Sequence, residues 1–328
     1  MSRSVLVTGG NGFVGSHVVE ELLDAGYKVR CLLRTHSRPN WIETLPVDIS
    51  RVDYFDPNAL RNAISGCDAI LHFGGATKAK DKEAFFRANA DTTRALIEAA
   101  ADACPGLSLF LYCSSQAALG PSPSLDPLKE DAPPQPISTY GWSKLAGERI
   151  CRERAGSFPI VIIRPPAVYG PRDKDVLFFF KIVRWGISPS LGRGDRYISL
   201  VHAKDIARIT RLIIEKAPRD FTVYHVTDGV VHRWDDVLAA LAQALGKRPL
   251  NVNVPIGLAI AASKLASGWA SATGRLATFN REKLGELLQN YWLISSQKAE
   301  RELGYKPEYD LQKGMEQTVR WYREHNWL

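Results

Sequence analysis

No run of 18 uninterrupted apolar residues occurs in the sequence, so no integral membrane segment is expected. The amino terminus lacks a charged leader followed by a hydrophobic stretch and enters a strand-like run, Ser4-Val5-Leu6-Val7, so no secretory signal is expected. Cysteine is sparse: Cys31, Cys67, Cys104, Cys113 and Cys151 are odd in number, scattered and without CxxC spacing. A disulfide framework and a metal site are both unsupported, and reduced, mostly buried thiols in a cytoplasmic protein are expected. The net charge is +7, yet no basic block or aromatic-studded basic stripe occurs. That balance suits an anionic small molecule and gives no reason to expect nucleic acid. No internal repeat or low-complexity tract is visible. What remains is ordinary globular material, 328 residues with 45% hydrophobic and 23% charged, enough for one large α/β unit or two domains.

The first two-thirds alternates short apolar runs with helical patterns. Val5-Leu6-Val7 is followed by Val14, Val18 and Leu22 at helical spacing, ending near Ala25-Gly26. Further strand-like runs are Val29 to Leu33, Val52 to Tyr54, Asp68 to Phe73, Leu107 to Tyr112 and Ile160 to Ile163. Helical stretches cover Asn89 to Ala103 and Ser143 to Arg154. Such alternation implies an α/β fold, a doubly wound parallel sheet covered on both faces. From Arg164 prolines and glycines loosen the pattern, with sheet-like sequence returning at Ile198 to Val201 and Thr222 to Val226. The final third is mostly helical, and Leu311, Met315, Val319 and Tyr322 form one packing stripe. The expected organisation is a dinucleotide-type domain over 1–164, with 196–226 returning to it. A smaller, partly interleaved, mostly helical substrate-binding portion takes 165–195 and 227–328.

Gly9, Gly12 and Gly15 lie between the first strand and first helix, in Thr8-Gly9-Gly10-Asn11-Gly12-Phe13-Val14-Gly15. A tight turn there lets main-chain N–H groups meet a pyrophosphate at the helix start, where the helix dipole also favours negative charge. Gly9, Gly12, Phe13, Val14 and Gly15 are therefore candidate cofactor contacts. The second strand ends in Arg34 without an acid to hold a ribose 2′-hydroxyl. Arg34 and Ser37 become candidates for a 2′-phosphate, pointing to NADP with NAD as the alternative; otherwise Arg34 is a solvated loop cation.

Tyr140-Gly141-Trp142-Ser143-Lys144 is a YxxxK pair. On a helix its phenol and ammonium share a face, and the cation is expected to lower the phenol pKa toward a range useful for proton transfer. Upstream, Cys113-Ser114-Ser115 follows a buried strand, where an α/β sheet presents catalytic groups.

In order and spacing, TGGNGFVG (8–15), SSQAALG (114–120), YGWSK (140–144) and RPPAVYGP (164–171) resemble the extended short-chain dehydrogenases/reductases, the NAD-dependent epimerase/dehydratase superfamily. The likeness runs through DYFDP (53–57), Asn89, VHAKD (201–205) and ELGYKP (302–307), almost the full chain. It implies a Rossmann sheet and an enzyme. Ser115 matches the hydroxyl that bonds the reacting oxygen, Tyr140 the general acid/base, and Lys144 the residue that tunes it and holds the nicotinamide ribose. The resemblance sets Asp53 and Tyr54 at the adenine, and Phe73, Gly74 and Gly75 on the cofactor-lining loop. Pro165 to Val168 falls at the nicotinamide end. Asn89 takes part in a water-bridged relay or caps its helix. A homodimer is implied by resemblance alone.

Within that superfamily, Gln116-Ala117 stands where dehydratases carry Asp-Glu, and Ala118-Leu119-Gly120 and Ile198 depart from the nucleotide-sugar pattern. Lys204 also replaces the first of the usual aspartates. The remainder resembles the 3β-hydroxysteroid dehydrogenase and dihydroflavonol reductase branch, also through Arg275 to Tyr305. This implies interconversion of a secondary alcohol and a ketone on a small apolar ring substrate. The alternatives are a nucleotide-sugar 4-epimerase and a catalytically silent dinucleotide sensor. Pro255 to Ala272 reads as a packed helix before a lid, a hydrophobic wall or a membrane contact. Phe178, Phe179, Phe180 and Trp185 read as core, and neither His72 nor His202 receives a catalytic role.

Overall fold

The computed structural model describes residues 3–192, 194–261 and 281–328. The apolar runs become β1 (Ser4–Thr8), β2 (Lys28–Arg34), β3 (Asp48–Val52), β4 (Ala69–His72), β5 (Leu109–Cys113) and β6 (Ile160–Arg164). Their alternation sorts side chains into two cores, because successive residues of a strand face opposite sides. Val5 and Val7 of β1 meet Val18, Val19 and Leu22 of α1 (Phe13–Asp24) on one face. Leu6, Ile70, Phe110 and Ile162 meet Leu96, Ile97 and Ile150 on the other.

Along the chain follow α2 (Pro57–Ile64), α3 (Lys82–Phe86), a π-helical turn (Arg87–Asp91), α4 (Thr92–Ala103), α5 (Gln116–Leu119) and α6 (Thr139–Glu153). The second half adds β7 (Ala167–Tyr169), α7 (Leu177–Arg184), β8 (Ile187–Leu191), β9 (Tyr197–Ile198), β10 (Leu200–His202), α8 (Ala203–Lys216) and β11 (Thr222–His225). Then come β12 (His232–Arg233), α9 (Trp234–Leu245), β13 (Leu250–Val254), α10 (Arg281–Leu287), β14 (Tyr291–Trp292), α11 (Gln297–Leu303) and α12 (Leu311–Glu324). A seven-stranded sheet runs β11-β6-β5-β4-β1-β2-β3, all of its pairings parallel. The order reverses between β1 and β4, the switch point where such sheets open a crevice at the carboxyl ends of the strands.

Several elements differ from expectation. The strand expected at Val52 to Tyr54 lies earlier, at Asp48–Val52, because this edge strand has only one buried residue to mark it. Of the returning sheet sequence, only β11 joins the large sheet. β9 pairs with β12 and β14, and β10 with β7. Phe180 is core, but Phe178 and Trp185 are 61% and 76% exposed. A third core, in the smaller portion, gathers Phe180, Val183, Leu238, Leu241, Met315, Val319 and Tyr322. Arg193 and residues 262–272 of the Pro255 to Ala272 segment lie outside the described residues.

Candidate active site

The turn after β1 brings backbone against backbone. Gly9 has φ +70, and a Cβ there would stand 2.7 Å from the Gly74 nitrogen; one on Gly15 would collide with the Gly9 carbonyl. Gly12 donates its N–H to Gly9 O at 2.9 Å and begins α1 with no side-chain cap. The first N–H groups of α1, at half-buried Phe13 and Val14 and at Gly15, are thus presented over a floor that only glycine permits. This cradle fits a dinucleotide pyrophosphate.

The loop after β4 lies alongside. Thr8 Oγ1 accepts from Gly74 N at 3.0 Å and lies 2.6 Å from His72 Nδ1, to which it donates because Thr93 fixes the tautomer from the far side of the ring. The other His72 nitrogen, Nε2, then donates to Thr93 Oγ1 at 3.1 Å, and that hydroxyl donates to Asn89 O at 2.7 Å. Burial lowers the His72 pKa to about 3, so the ring is neutral and this chain has one proton order. It ends in the π-helical turn, where Asn89 is fully buried. Asn89 Oδ1 accepts from Ala76 N at 2.8 Å, while Nδ2 donates to Ala76 O at 3.0 Å and Ser143 Oγ at 2.9 Å. Asn89 caps no helix, and both its amide hydrogens are engaged in joining the cofactor-side loop to α6. The helix expected from Asn89 begins earlier, at Lys82, with Asp81 as its cap.

Ser115 lies just beyond β5 and caps α5, its Oγ accepting from Ala117 N at 3.1 Å. α6 starts at a Ser138 cap, ahead of the expected Ser143. A Cβ on Gly141 would collide with the Ala117 carbonyl, so α6 crosses α5 at backbone contact. That crossing sets Tyr140 beside Ser115. The Phe85 ring flanks Tyr140, with centroids 6.2 Å apart.

Burial drives the Tyr140 phenol well above its ordinary value of 10, with the Ser115 hydroxyl working the other way. The acidification expected from YxxxK is absent. Lys144 lies on the expected face, but its Nζ donates to Cys113 O at 2.6 Å and sits 4.4 Å over the Tyr112 ring. Burial also lowers the lysine's own pKa.

Other expected contacts divide. Exposed Arg34 and half-buried Ser37 stand at the end of β2, joined by Ser37 N to Arg34 O at 2.9 Å. Their loop is tied to the glycine turn through Asn11 Nδ2 to Arg38 O at 2.8 Å. Asp53 is exposed, with Oδ1 accepting from Phe55 N at 3.0 Å. Tyr54 points inward, its hydroxyl donating to Leu32 O at 3.1 Å, so its side chain belongs to the core. Pro165 is buried, its carbonyl accepting from Gln116 N at 2.8 Å, and Val168 is half-buried on β7. His202 is buried, stacked on Tyr309 at 4.1 Å, and held neutral by burial. Among the described residues no cluster of three or more His, Cys, Asp or Glu could hold a metal ion.

Sequence reading missed Thr8, Thr93, Ser143 and Glu282. Thr8 could have been suspected from its place beside the glycine turn. Glu282 could not: its carboxylate accepts from Thr139 Oγ1 at 2.6 Å and Thr139 N at 3.2 Å across 143 positions of sequence.

The profile of the NAD dependent epimerase/dehydratase family matches residues 5–226. The chain belongs to that family. A ceramide reductase of Caulobacter vibrioides is 32% identical over 330 residues, 99% of this chain and 96% of that protein. The decarboxylating sterol-4-alpha-carboxylate 3-dehydrogenase of Dictyostelium discoideum is 29% identical over 236 residues, 69% of this chain and 72% of that protein. Among solved structures, the UDP-glucose 4-epimerase of Thermus thermophilus in complex with NAD aligns with a TM-score of 0.77. It is 26% identical and covers 98% of this chain and 99% of that one. This member of the family is therefore an enzyme, an NAD-dependent oxidoreductase at the family level. Its glycine turn, Ser115, Tyr140 and Lys144 gather at the carboxyl ends of β1, β4 and β5, the edge where parallel sheets carry their sites.

Proposed function

We propose that the enzyme interconverts a secondary alcohol and a ketone on an apolar, lipid-like substrate, using NADP in preference to NAD. The observation that carries this reading is the Ser115–Tyr140 hydroxyl pair held beside the glycine cradle by the α5–α6 crossing. The nicotinamide, when bound, supplies hydride to the carbonyl carbon or accepts it from the alcohol. Tyr140 gives its phenolic proton to the carbonyl oxygen in reduction and takes the alcohol proton in oxidation. Ser115 Oγ donates a second hydrogen bond to the same oxygen, steadying the charge that develops there. Lys144 is the donor for the nicotinamide ribose, and Asn89 holds the loop 74–76 against α6. Gly9, Gly12, Phe13, Val14 and Gly15 take the pyrophosphate. Phe73, Gly74 and Gly75 line the dinucleotide, Asp53 and the Tyr54 backbone meet the adenine, and Pro165 and Val168 border the nicotinamide. Arg34 and Ser37 receive the 2′-phosphate.

The apolar substrate class is supported by two relatives whose names place ceramide and a sterol carboxylate as their substrates. Its test is net oxidation of NADPH and NADH by the purified enzyme with a 3-ketosteroid and a long-chain keto-amide. Turnover with either ketone, faster with NADPH, is expected. Failure to consume either dinucleotide, with NAD retained through purification and UDP-glucose epimerised, would replace this reading by the epimerase.

A further inference from the structure

The pairing of β8 with β13 turns an ordinary pattern outward. Ile187-Ser188-Pro189-Ser190-Leu191 lies parallel to Leu250-Asn251-Val252-Asn253-Val254, pairing Ile187 with Leu250, Pro189 with Val252 and Leu191 with Val254. Paired residues of adjacent strands share a face, so one face of this ribbon is apolar and the other is Ser and Asn. Solvent reaches the apolar face as well as the polar one. Leu250 is 77% and Ile187 and Val252 are each 41% exposed, while on the polar face Asn251 and Asn253 are exposed and only Ser188 is buried, at 7%. The patch extends through Trp185, 76% exposed, and Leu258, 64% exposed in the helical residues 256–261. The N–H of Leu250 donates to Gly186 O at 2.8 Å, which sets Arg248-Pro249-Leu250 against Arg184-Trp185-Gly186.

Charge follows the same two segments. The chain holds 35 acidic residues in 328, yet none falls in positions 176–194 or in positions 237–281. The ribbon pairs the two segments at Ile187–Leu191 and Leu250–Val254. Lys181, Arg184, Lys247 and Arg248 are exposed beside its apolar end. Exposed Asp195 and Asp235 lie by Leu191 at the far end of the ribbon, but the end formed by Trp185, Ile187 and Leu250 has only those cations in its own two segments. Such an end is complementary to a sheet of anionic headgroups over acyl chains.

We infer that this face docks on an anionic lipid bilayer, with Trp185, Leu250 and Leu258 entering the interface while Lys181, Arg184, Lys247 and Arg248 meet lipid phosphates. The inference goes beyond the reaction proposed above and does not depend on it.

The test is flotation of the full-length enzyme with vesicles of phosphatidylcholine alone and of phosphatidylcholine with one-third phosphatidylglycerol. The parent should float with the anionic vesicles and stay behind with the neutral ones. Lys181→Glu/Arg184→Glu should weaken that binding by about tenfold or more, given the attraction of each cation to an anionic surface. Trp185→Ser/Leu250→Ser should weaken it comparably by removing inserted area. Both variants should keep the parent's melting temperature and dinucleotide affinity; should the apolar variant fail to fold, the charge variant still decides. A parent that floats with neither vesicle overturns the inference. So does a parent dimer that dissociates on Trp185→Ser/Leu250→Ser without any vesicle binding, since the face would then join two copies of the chain.

Discussion

Lys144 donates from its ammonium to the carbonyl oxygen of Cys113, 2.6 Å away at the end of β5, and so is anchored to the sheet beside Tyr140. The lysine thus fixes the start of α6 against the strand that presents Ser115. Tyr140 meanwhile is governed by burial, which favours the neutral phenol.

A pH dependence with opposite signs in the two directions follows. A raised pKa keeps the proton on Tyr140 through neutral and mildly alkaline conditions. Ketone reduction needs that proton and should hold level from about pH 6 to 9. Alcohol oxidation needs the phenolate and should climb as pH rises over the same range. Initial rates in both directions, measured under saturating dinucleotide, check this. A reduction rate that falls away near pH 7 would mean a phenol already acidic, contrary to its environment.

Asn89 is the next point of attack. Asn89→Ala leaves the half-buried Ala76 N and O without their partners. A fully buried group so orphaned costs about 1–3 kcal/mol, and partial access to water puts the cost here toward the low end of that range. Earlier thermal unfolding is expected, together with dinucleotide binding weakened several-fold as the loop 74–76 loosens. Calorimetry and fluorescence titration read the two effects. A variant with the parent's melting temperature and affinity would show the link to be idle.

Much of this was legible in the residues, for stated reasons. β1, β4, β5 and β6 are buried on both faces, so their apolar runs are unbroken. β3 lies at the sheet's edge with polar residues at most of its positions, so no apolar run marks its place. The glycine turn and YxxxK spacing are local signals, and the fold assembles them as expected. The Lys144–Cys113 bond, the inward turn of Tyr54 and the Glu282 contact are tertiary and leave no periodic trace. Trp185 misled because an aromatic residue beside an apolar helix ordinarily packs inside, whereas here it crowns an exposed ribbon.

Asp173 offers a test of stability alone. Burial, opposed by backbone N–H groups of Asp175 and Val176, raises its pKa from 3.8 to about 7. A carboxyl raised on folding destabilises the native state wherever the unfolded chain would ionise it, so the penalty develops as pH rises from about 4 to about 7. Asp173→Asn removes the titration. Its melting temperature relative to the parent should increase across that window and level off above it, whereas an offset independent of pH would contradict the assignment.

The central claim is that the Tyr140 hydroxyl exchanges the proton that accompanies hydride transfer. The most direct measurement is the single-turnover rate of ketone reduction by preformed enzyme–NADPH complex, parent against Tyr140→Phe. A fall on the order of 10²–10⁴-fold is expected, the usual worth of a positioned acid, with dinucleotide affinity close to the parent's. A rate within a factor of about two of the parent's would contradict it.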